Sequence, residues 1–217
     1  LGTILGLEAA KVFSEIDTRP ITEEFVRARE SGATLAMWEE KSVPEEQNEL
    51  QVRQLRLPLP LRPQPELEEV LDTYRQRKSE LSALNESGAP AEKVEAAMFR
   101  ARRAQMAVTR VENYAGKTEL EVELQILRYG ELAIVGMNGE PFCEIGLAIK
   151  EQAAVPHTFF GGYTGESFGY IPWPQAYSEG GYEVETSPYT EEAAPRIVEA
   201  VLKVLAEMTA TDRARPA

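Results

Sequence analysis

The sequence predicts an α/β fold in which a mixed β-sheet is layered with helices. Segments with alternating apolar and polar residues, typical of strands, are interleaved with segments whose apolar residues recur at helical spacing. Two consecutive charged helical segments over residues 64–115 further predict an antiparallel helical hairpin. A chain of 217 residues can bury one sizeable core. We therefore expect a single α/β domain over residues 1–217.

The first 48 residues give weaker structural signals than the rest of the chain. Residues 2–16 carry an apolar stripe at helical spacing and predict a helix that ends before Pro20. Residues 21–29 fit a short helix, residues 33–38 a short strand, and residues 39–48 an exposed acidic loop. Because the chain opens within a helical pattern and without Met, we expect it to be a piece of a longer protein.

The next segment predicts one strand and the helical hairpin. Residues 50–59 alternate and predict a strand, which Pro58 and Pro60 end. Helices are predicted over residues 66–84 and 91–113, with a turn between them. We interpret the pair as a solvated arm that packs one face on the sheet. A coiled-coil surface for a partner is the alternative.

The C-terminal part, residues 118–210, predicts the rest of the sheet. Strands over 118–127 and 131–135 are separated by a short turn and predict an antiparallel hairpin. The second strand lacks polar alternation, so we expect it to be central and covered on both faces. A helix over 141–152, a short strand over 157–160 and a helix over 191–208 follow, and the tail from residue 210 is expected to be disordered.

Composition restricts the classes of function. A net charge of −13 argues against binding to nucleic acid, which requires a basic face. No apolar run reaches the roughly 18 residues of a membrane span. The single cysteine, Cys143, cannot form an internal disulfide and is interpreted as a small buried hydrophobe. The single histidine, His157, is interpreted as a scaffold residue, so this chain cannot build a histidine-rich metal site by itself.

A first candidate site residue is Glu140, in the turn Met137–Pro141. Gly139 gives the backbone the freedom for a sharp turn from strand to helix, and Pro141 suits the first helical position. Glu140 is therefore expected at the helix N-cap, where the helix dipole keeps a carboxylate ionised. The residue is then either an ordinary capping acid or a metal ligand.

A second candidate site is the loop over residues 161–182, which is rich in glycine and aromatic residues. Tyr170 lies in a turn of this loop, and Tyr163, Trp173 and Tyr177 are candidates for the wall of a substrate site. Two other interpretations remain open. The rings can simply cover the edge of the sheet, or they can form a platform that binds a sugar or a lipid.

These two segments resemble the C-terminal part of the neutral/alkaline (non-lysosomal) ceramidase family. The stretch IVGMNGEPFCEIGLAIK is similar to the family's hydrophobic strand, Pro-Gly-Glu turn and helix. The stretch GYIPWPQAYSEGGYEV is similar to its Gly-Tyr turn and the Tyr-rich sequence after it. Asn138 stands where the family usually has Pro, and Trp173 where it usually has Thr. The second departure replaces a small hydroxyl residue, three positions after Tyr170, with a large ring, so the identity of the substrate stays open.

The resemblance implies a zinc-dependent amidohydrolase that cleaves the N-acyl bond of ceramide, a sphingolipid, or of a related lipid or small-molecule amide. Family members hold Zn²⁺ with two histidines, a glutamate and a tyrosine. The glutamate falls on Glu140 and the tyrosine on Tyr170, whose phenol is also the implied catalytic oxyanion donor.

The same resemblance implies that both histidines lie outside this chain, in the remainder of the catalytic domain. The isolated chain is then expected to have negligible activity. Two alternative hypotheses remain: a non-catalytic α/β domain whose aromatic loop binds a ligand or a partner, and a purely structural domain.

Overall fold

A computed structural model describes residues 2–15, 21–30, 34–42 and 49–213, with side chains up to residue 210. The chain divides into two compact units, Leu1–Asn48 and Glu49–Ala217. Helices alternate with parallel and antiparallel strands, which confirms the predicted mixed α/β class. The expectation of a single domain over residues 1–217 stays a prediction.

The first unit contains a helix and a strand hairpin. Helix α1 (Gly2–Glu15) confirms the predicted helix. The helix predicted for residues 21–29 is wrong: β1 (Ile21–Glu30) pairs antiparallel with β2 (Thr34–Ser42). Cross-strand pairing stabilises the extended form, since the Phe25 and Trp38 rings meet edge to face with centroids 5.6 Å apart. The predicted strand over 33–38 is confirmed from residue 34 and extends through residues 39–42 of the predicted loop, while 43–48 lie outside the described residues.

The second unit is built on a four-stranded mixed sheet. The strands of this unit are β3 (Gln51–Pro60), β4 (Glu119–Tyr129), β5 (Leu132–Met137), β6 (Glu140–Pro141), β7 (His157–Gly161) and β8 (Tyr170–Ile171). Strands β6 and β8 form a separate two-stranded sheet. The main sheet has the order β3-β4-β5-β7, with β7 parallel to β5 and the other neighbours antiparallel. The predicted β4–β5 hairpin is confirmed. The strand predicted over residues 50–59 is confirmed as β3, but the prolines do not end it: it includes Pro58 and Pro60, because an edge strand tolerates the missing N–H groups.

The helices of this unit follow the predicted order. They are α2 (Leu67–Glu86), α3 (Ala91–Tyr114), α4 (Cys143–Gln152), α5 (Ala176–Glu179), α6 (Tyr182–Thr186) and α7 (Ala193–Arg213). Helices α2 and α3 form the predicted hairpin, and Gly88 adopts a positive φ of 63° in the turn between them. Because α7 continues to Arg213, the predicted disorder is wrong for residues 210–213, while residues 214–217 lie outside the described residues. Among the described residues, no helix is long and apolar enough to cross a membrane.

The hydrophobic core lies between one face of the sheet and helices α4 and α7. The fully buried side chains that build it include Val122, Leu124, Ile126, Val135, Ile145, Ile149, Ile197, Val201 and Leu205. The opposite face is open in the described structure, since Ile134 is 48% exposed and Phe159 is 58% exposed. The expectation that β5 is covered on both faces is therefore wrong. Cys143 is also exposed rather than buried, because it lies in the first turn of α4, away from this core.

Candidate functional site

The candidate site forms where two short strands meet beyond the end of β5. Strands β6 and β8 pair in parallel, so that Glu140 lies opposite Tyr170. The Glu140 N–H donates to the Gly169 carbonyl at 3.0 Å, and the Phe142 N–H donates to the Ile171 carbonyl at 3.1 Å. Two residues that are far apart in the sequence are thereby held side by side.

The pairing of β6 with β8 overturns the expected helix cap. Helix α4 begins at Cys143 with Phe142 as its N-cap residue, so Glu140 is not at the N-cap. The reason is that the segment Glu140–Pro141 uses its backbone in a strand, which postpones the start of the helix. The immediate surroundings of this carboxylate are therefore other side chains rather than the N–H groups of a helix end.

Three hydroxyl groups converge on the Glu140 carboxylate. The Ser167 hydroxyl donates a hydrogen bond to Glu140 Oε1 at 3.0 Å. The phenols of Tyr163 and Tyr170 also hydrogen-bond to the carboxylate. The hydrogen bond between Tyr163 and Glu140, with smaller contributions from burial and from the negative charge of Glu140, raises the pKa of Tyr163 to about 12. The separate hydrogen bond between Tyr170 and Glu140 is the largest cause of the raised pKa of Tyr170.

Tyr163 reaches Glu140 from a strained backbone position. It is a non-glycine residue with a φ of 59°, in the left-handed region that large side chains rarely adopt. Its N–H donates to the Gly139 carbonyl at 3.0 Å, and the Thr164 N–H donates to the Met137 carbonyl at 3.1 Å. These bonds fold the loop back onto the turn that carries Glu140. Strain of this kind is common at binding and catalytic sites.

Tyr170 is supported on its other side by Tyr182. The two rings are arranged edge to face, with centroids 6.0 Å apart. The Tyr182 hydroxyl donates to Met106 Sδ at 3.8 Å, and the Arg103 guanidinium lies 5.8 Å from the centre of the Tyr182 ring. The Tyr170 ring is thus fixed between Tyr182 and Glu140.

The other predicted wall residues occupy different environments. Tyr163 is 65% exposed and borders the Glu140 carboxylate. Trp173 packs against the hydrophobic core, and the Tyr177 hydroxyl donates to the Tyr189 carbonyl at 3.0 Å. For Trp173 and Tyr177 these contacts agree with the interpretation that the rings cover the edge of the sheet. Their role as a substrate wall stays a prediction.

Sequence reasoning missed Ser167 and the support that Tyr182 gives to Tyr170. Ser167 is separated from Glu140 by 27 residues, and no local pattern indicates that the loop returns to it. Tyr182 is visible in the sequence only as one of several aromatic residues in the loop. Ser167 and Tyr182 could be linked to Glu140 and Tyr170 only if the pairing of β6 with β8 were known.

The chain does not assemble a metal-ligand cluster from its own described residues. Over residues 2–15, 21–30, 34–42 and 49–210, no group of three or more His, Cys, Asp or Glu side chains could hold a metal ion. His157 begins β7 and pairs with Leu132, at the start of β5, whereas Glu140 follows the end of β5. His157 is therefore at the opposite end of the sheet from Glu140.

Comparison with known proteins gives limited information. No family model matches the sequence, and no curated protein matches it. Among solved structures, the chain is similar to neutral ceramidase from Pseudomonas aeruginosa, with 19% sequence identity and a TM-score of 0.42. The match covers 78% of this chain and 29% of that chain, so this chain spans less than a third of that protein's length. A similarity of this size establishes neither a family nor an activity.

Proposed function

We propose that this chain is part of a zinc-dependent amidohydrolase of the neutral ceramidase type, which hydrolyses the N-acyl amide bond of ceramide or a related N-acyl compound. One observation supports this proposal above the others. The parallel pairing of β6 with β8 sets the Glu140 carboxylate beside the Tyr170 phenol, which are the two residues that the family motifs select as ligands.

The donor set is compatible with zinc. A carboxylate and a phenol both offer oxygen atoms, and zinc accepts oxygen together with imidazole nitrogen in catalytic sites. Glu140 and Tyr170 would hold the ion from this chain, and two histidines from the remainder of the catalytic domain would complete the set. Bound zinc supplies Lewis acidity and activates water near neutral pH for attack on an amide carbonyl.

Other contacts within this chain would orient the two ligands and bind the substrate oxygen. Ser167 and Tyr163 donate hydrogen bonds to Glu140 and so orient its carboxylate, in the way that outer hydrogen bonds orient metal ligands. With substrate bound, the single Tyr170 phenol proton would turn from Glu140 toward the oxygen that becomes negatively charged when the amide carbonyl is attacked. Tyr182 keeps the Tyr170 ring in place through its edge-to-face contact.

The first prediction concerns zinc content. In the full-length protein, Glu140→Gln and Tyr170→Phe should each lower the zinc bound per purified molecule, since each removes one proposed ligand. Elemental mass spectrometry of dialysed protein measures this directly. Glu179→Gln is the matched acidic control, because Glu179 is an exposed residue of the short helix α5.

The zinc content of these variants distinguishes the amidohydrolase from a non-catalytic domain. Zinc that falls in both site variants but not in the control supports the amidohydrolase. Zinc content that is unchanged in both variants would contradict the ligand assignment and would favour a non-catalytic domain.

A further inference from the structure

A cavity lies between α3 and the loop that carries the candidate site. Its volume is about 460 Å³, within the range of roughly 300–1,000 Å³ typical of small-molecule sites. The lining that matters here combines two cations with uncharged residues: Arg102, Arg110, Met106, Tyr114, Ser167 and Phe168. The cavity is thus of a size to hold a small organic group, with both polar and apolar contacts.

Two chains of contacts connect the cavity lining to the Glu140–Tyr170 pair. Ser167 lines the cavity and donates its hydroxyl hydrogen bond to Glu140. Met106 also lines it and accepts the hydrogen bond of Tyr182, whose ring contacts that of Tyr170. One contact therefore separates the cavity lining from Glu140, and two contacts separate it from Tyr170.

The charge of this cavity is positive although the protein carries a net charge of −13. Its lining contains two arginines and no carboxylate. Arg110 is half-buried, and its hydrogen bonds go to neutral oxygens, the Gln64 side chain at 3.2 Å and the Glu185 backbone carbonyl at 2.5 Å. The Glu185 carboxylate instead pairs with Arg103 at 3.2 Å. Among the described residues, Arg102 forms no ion pair.

The surroundings of Arg110 favour a bound anion. Burial, with a smaller contribution from the nearby charge of Arg62, lowers the pKa of Arg110, which reflects a cation without a compensating partner. A guanidinium has five N–H donors in a fixed fork, and Arg110 uses its Nε–H and one NH1 donor in the two bonds above. The remaining N–H donors of Arg110 can bind a carboxylate, which arginine commonly holds with two parallel hydrogen bonds.

We propose that the cavity binds a carboxylate on the amine portion of the substrate, so that the preferred substrates are N-acyl amino acids rather than amides with neutral headgroups. This inference rests on the proposed function, because it assumes that the scissile amide lies at the Glu140–Tyr170 pair. Hydrolysis adds one water across the C–N bond: the hydroxyl joins the acyl carbon, and a proton goes to the leaving amine. Met106 and Phe168 then contact the carbon atoms of the amino acid.

The test compares two substrates with the same acyl chain in the full-length protein. N-lauroylglycine carries the carboxylate, and N-lauroylethanolamine is its neutral counterpart. We expect kcat/KM to be at least about tenfold higher for the glycine conjugate, since a hydrogen-bonded charge pair is worth about that factor. Arg110→Gln should remove most of this preference, because it should lower kcat/KM for the glycine conjugate much more than for the ethanolamide.

Two further variants keep this test interpretable. Arg102→Gln should reduce the same preference by a smaller factor, and its exposed side chain makes it safe for folding. Arg75→Gln is the control: Arg75 is an exposed arginine of α2 that pairs with Glu68 and Asp72, and its loss should leave both substrates unaffected.

Calorimetric binding of N-lauroylglycine separates a failure of this inference from a failure of the proposed function. Binding that weakens in Arg110→Gln supports the carboxylate site even if neither amide is hydrolysed, in which case only the proposed hydrolysis fails. Equal kcat/KM for the two substrates in an active enzyme overturns the inference and leaves the hydrolase intact. Binding that is undetectable, or that is insensitive to both arginine variants, also overturns it.

Discussion

At the scale of single residues, the candidate site is organised around one carboxylate. Glu140 accepts hydrogen bonds from Ser167, Tyr163 and Tyr170, so its position is set by three hydroxyl groups rather than by a helix end. Tyr163 makes its contribution from a backbone conformation that costs on the order of 1–3 kcal/mol. Because the Tyr163 side chain is largely exposed, burial does not account for this strained position, and the contact with Glu140 is its evident structural consequence.

The Tyr163–Glu140 contact predicts a dependence of stability on alkaline pH. The pKa of Tyr163 is raised from 10.0 to about 12, so the folded chain keeps this proton more strongly than the unfolded chain does. The contribution to stability is therefore complete below about pH 10 and is lost as the pH rises toward about 12. Urea unfolding across this interval should show a smaller decline for Tyr163→Phe than for the unchanged protein.

Titration of the phenol absorbance provides the control for this prediction. In Glu140→Gln the most alkaline exposed tyrosine step should move to lower pH, because the charged hydrogen-bond acceptor is gone. A titration curve that is identical in Glu140→Gln and the unchanged protein would show that the carboxylate does not hold Tyr163.

At the scale of elements, two tight turns make the site possible. Gly139 precedes β6 and Gly169 precedes β8, and both have positive φ, at 91° and 81°. A Cβ at Gly139 would lie 3.3 Å from the Gly169 carbonyl oxygen. The two turns are therefore packed directly against each other, and the close approach of Glu140 to Tyr170 depends on the absence of a side chain there.

Gly139→Ala should destabilise the second unit by about 1–3 kcal/mol, since alanine is strained at this φ and crowds the facing carbonyl. Urea unfolding measures the loss. Gly161→Ala is the matched control, because Gly161 lacks a positive φ and has open space around its Cβ position. The control should stay within about 0.5 kcal/mol of the unchanged protein or gain slightly. Equal losses in both variants would contradict the role assigned to the turn.

At the scale of the whole second unit, the core is one-sided. Helices α4 and α7 cover one face of the sheet, and apolar side chains such as Ile134 and Phe159 are exposed on the other. Ile126 and Ile134 lie on adjacent strands but on opposite faces: Ile126 is fully buried, whereas Ile134 is 48% exposed. The two positions give a direct comparison of the faces with the same residue type.

Ile126→Ala should lower the free energy of unfolding by about 2–5 kcal/mol, because it removes buried volume that the core cannot refill. Ile134→Ala should cost less than about 1 kcal/mol, since much of its side chain already contacts solvent. Chemical unfolding of both variants measures the difference. Losses of similar size would show that β5 is covered on both faces, as the sequence predicts for this strand.

Much of this architecture could be predicted because it depends on local periodicity. The apolar stripe of α7 and the alternation of β4 identify those elements without any tertiary information. The helix predicted over residues 21–29 is wrong because their charged sequence is ambiguous until β2 pairs with it. Glu140 and Tyr170 could be selected as candidates, but their adjacency depends on the register of β6 with β8. The convergence of Ser167 depends on the same long-range pairing.

The position of Pro58 and Pro60 has a consequence for how the molecule behaves at high concentration. Both residues lie in β3, the edge strand of the main sheet, and neither has an N–H to offer to a neighbouring chain. Just beyond them, the Thr190 N–H donates to the Pro60 carbonyl at 3.0 Å and the Arg62 N–H donates to the Pro188 carbonyl at 2.8 Å. This end of the edge therefore resists the addition of a foreign strand, the step with which edge-to-edge aggregation begins.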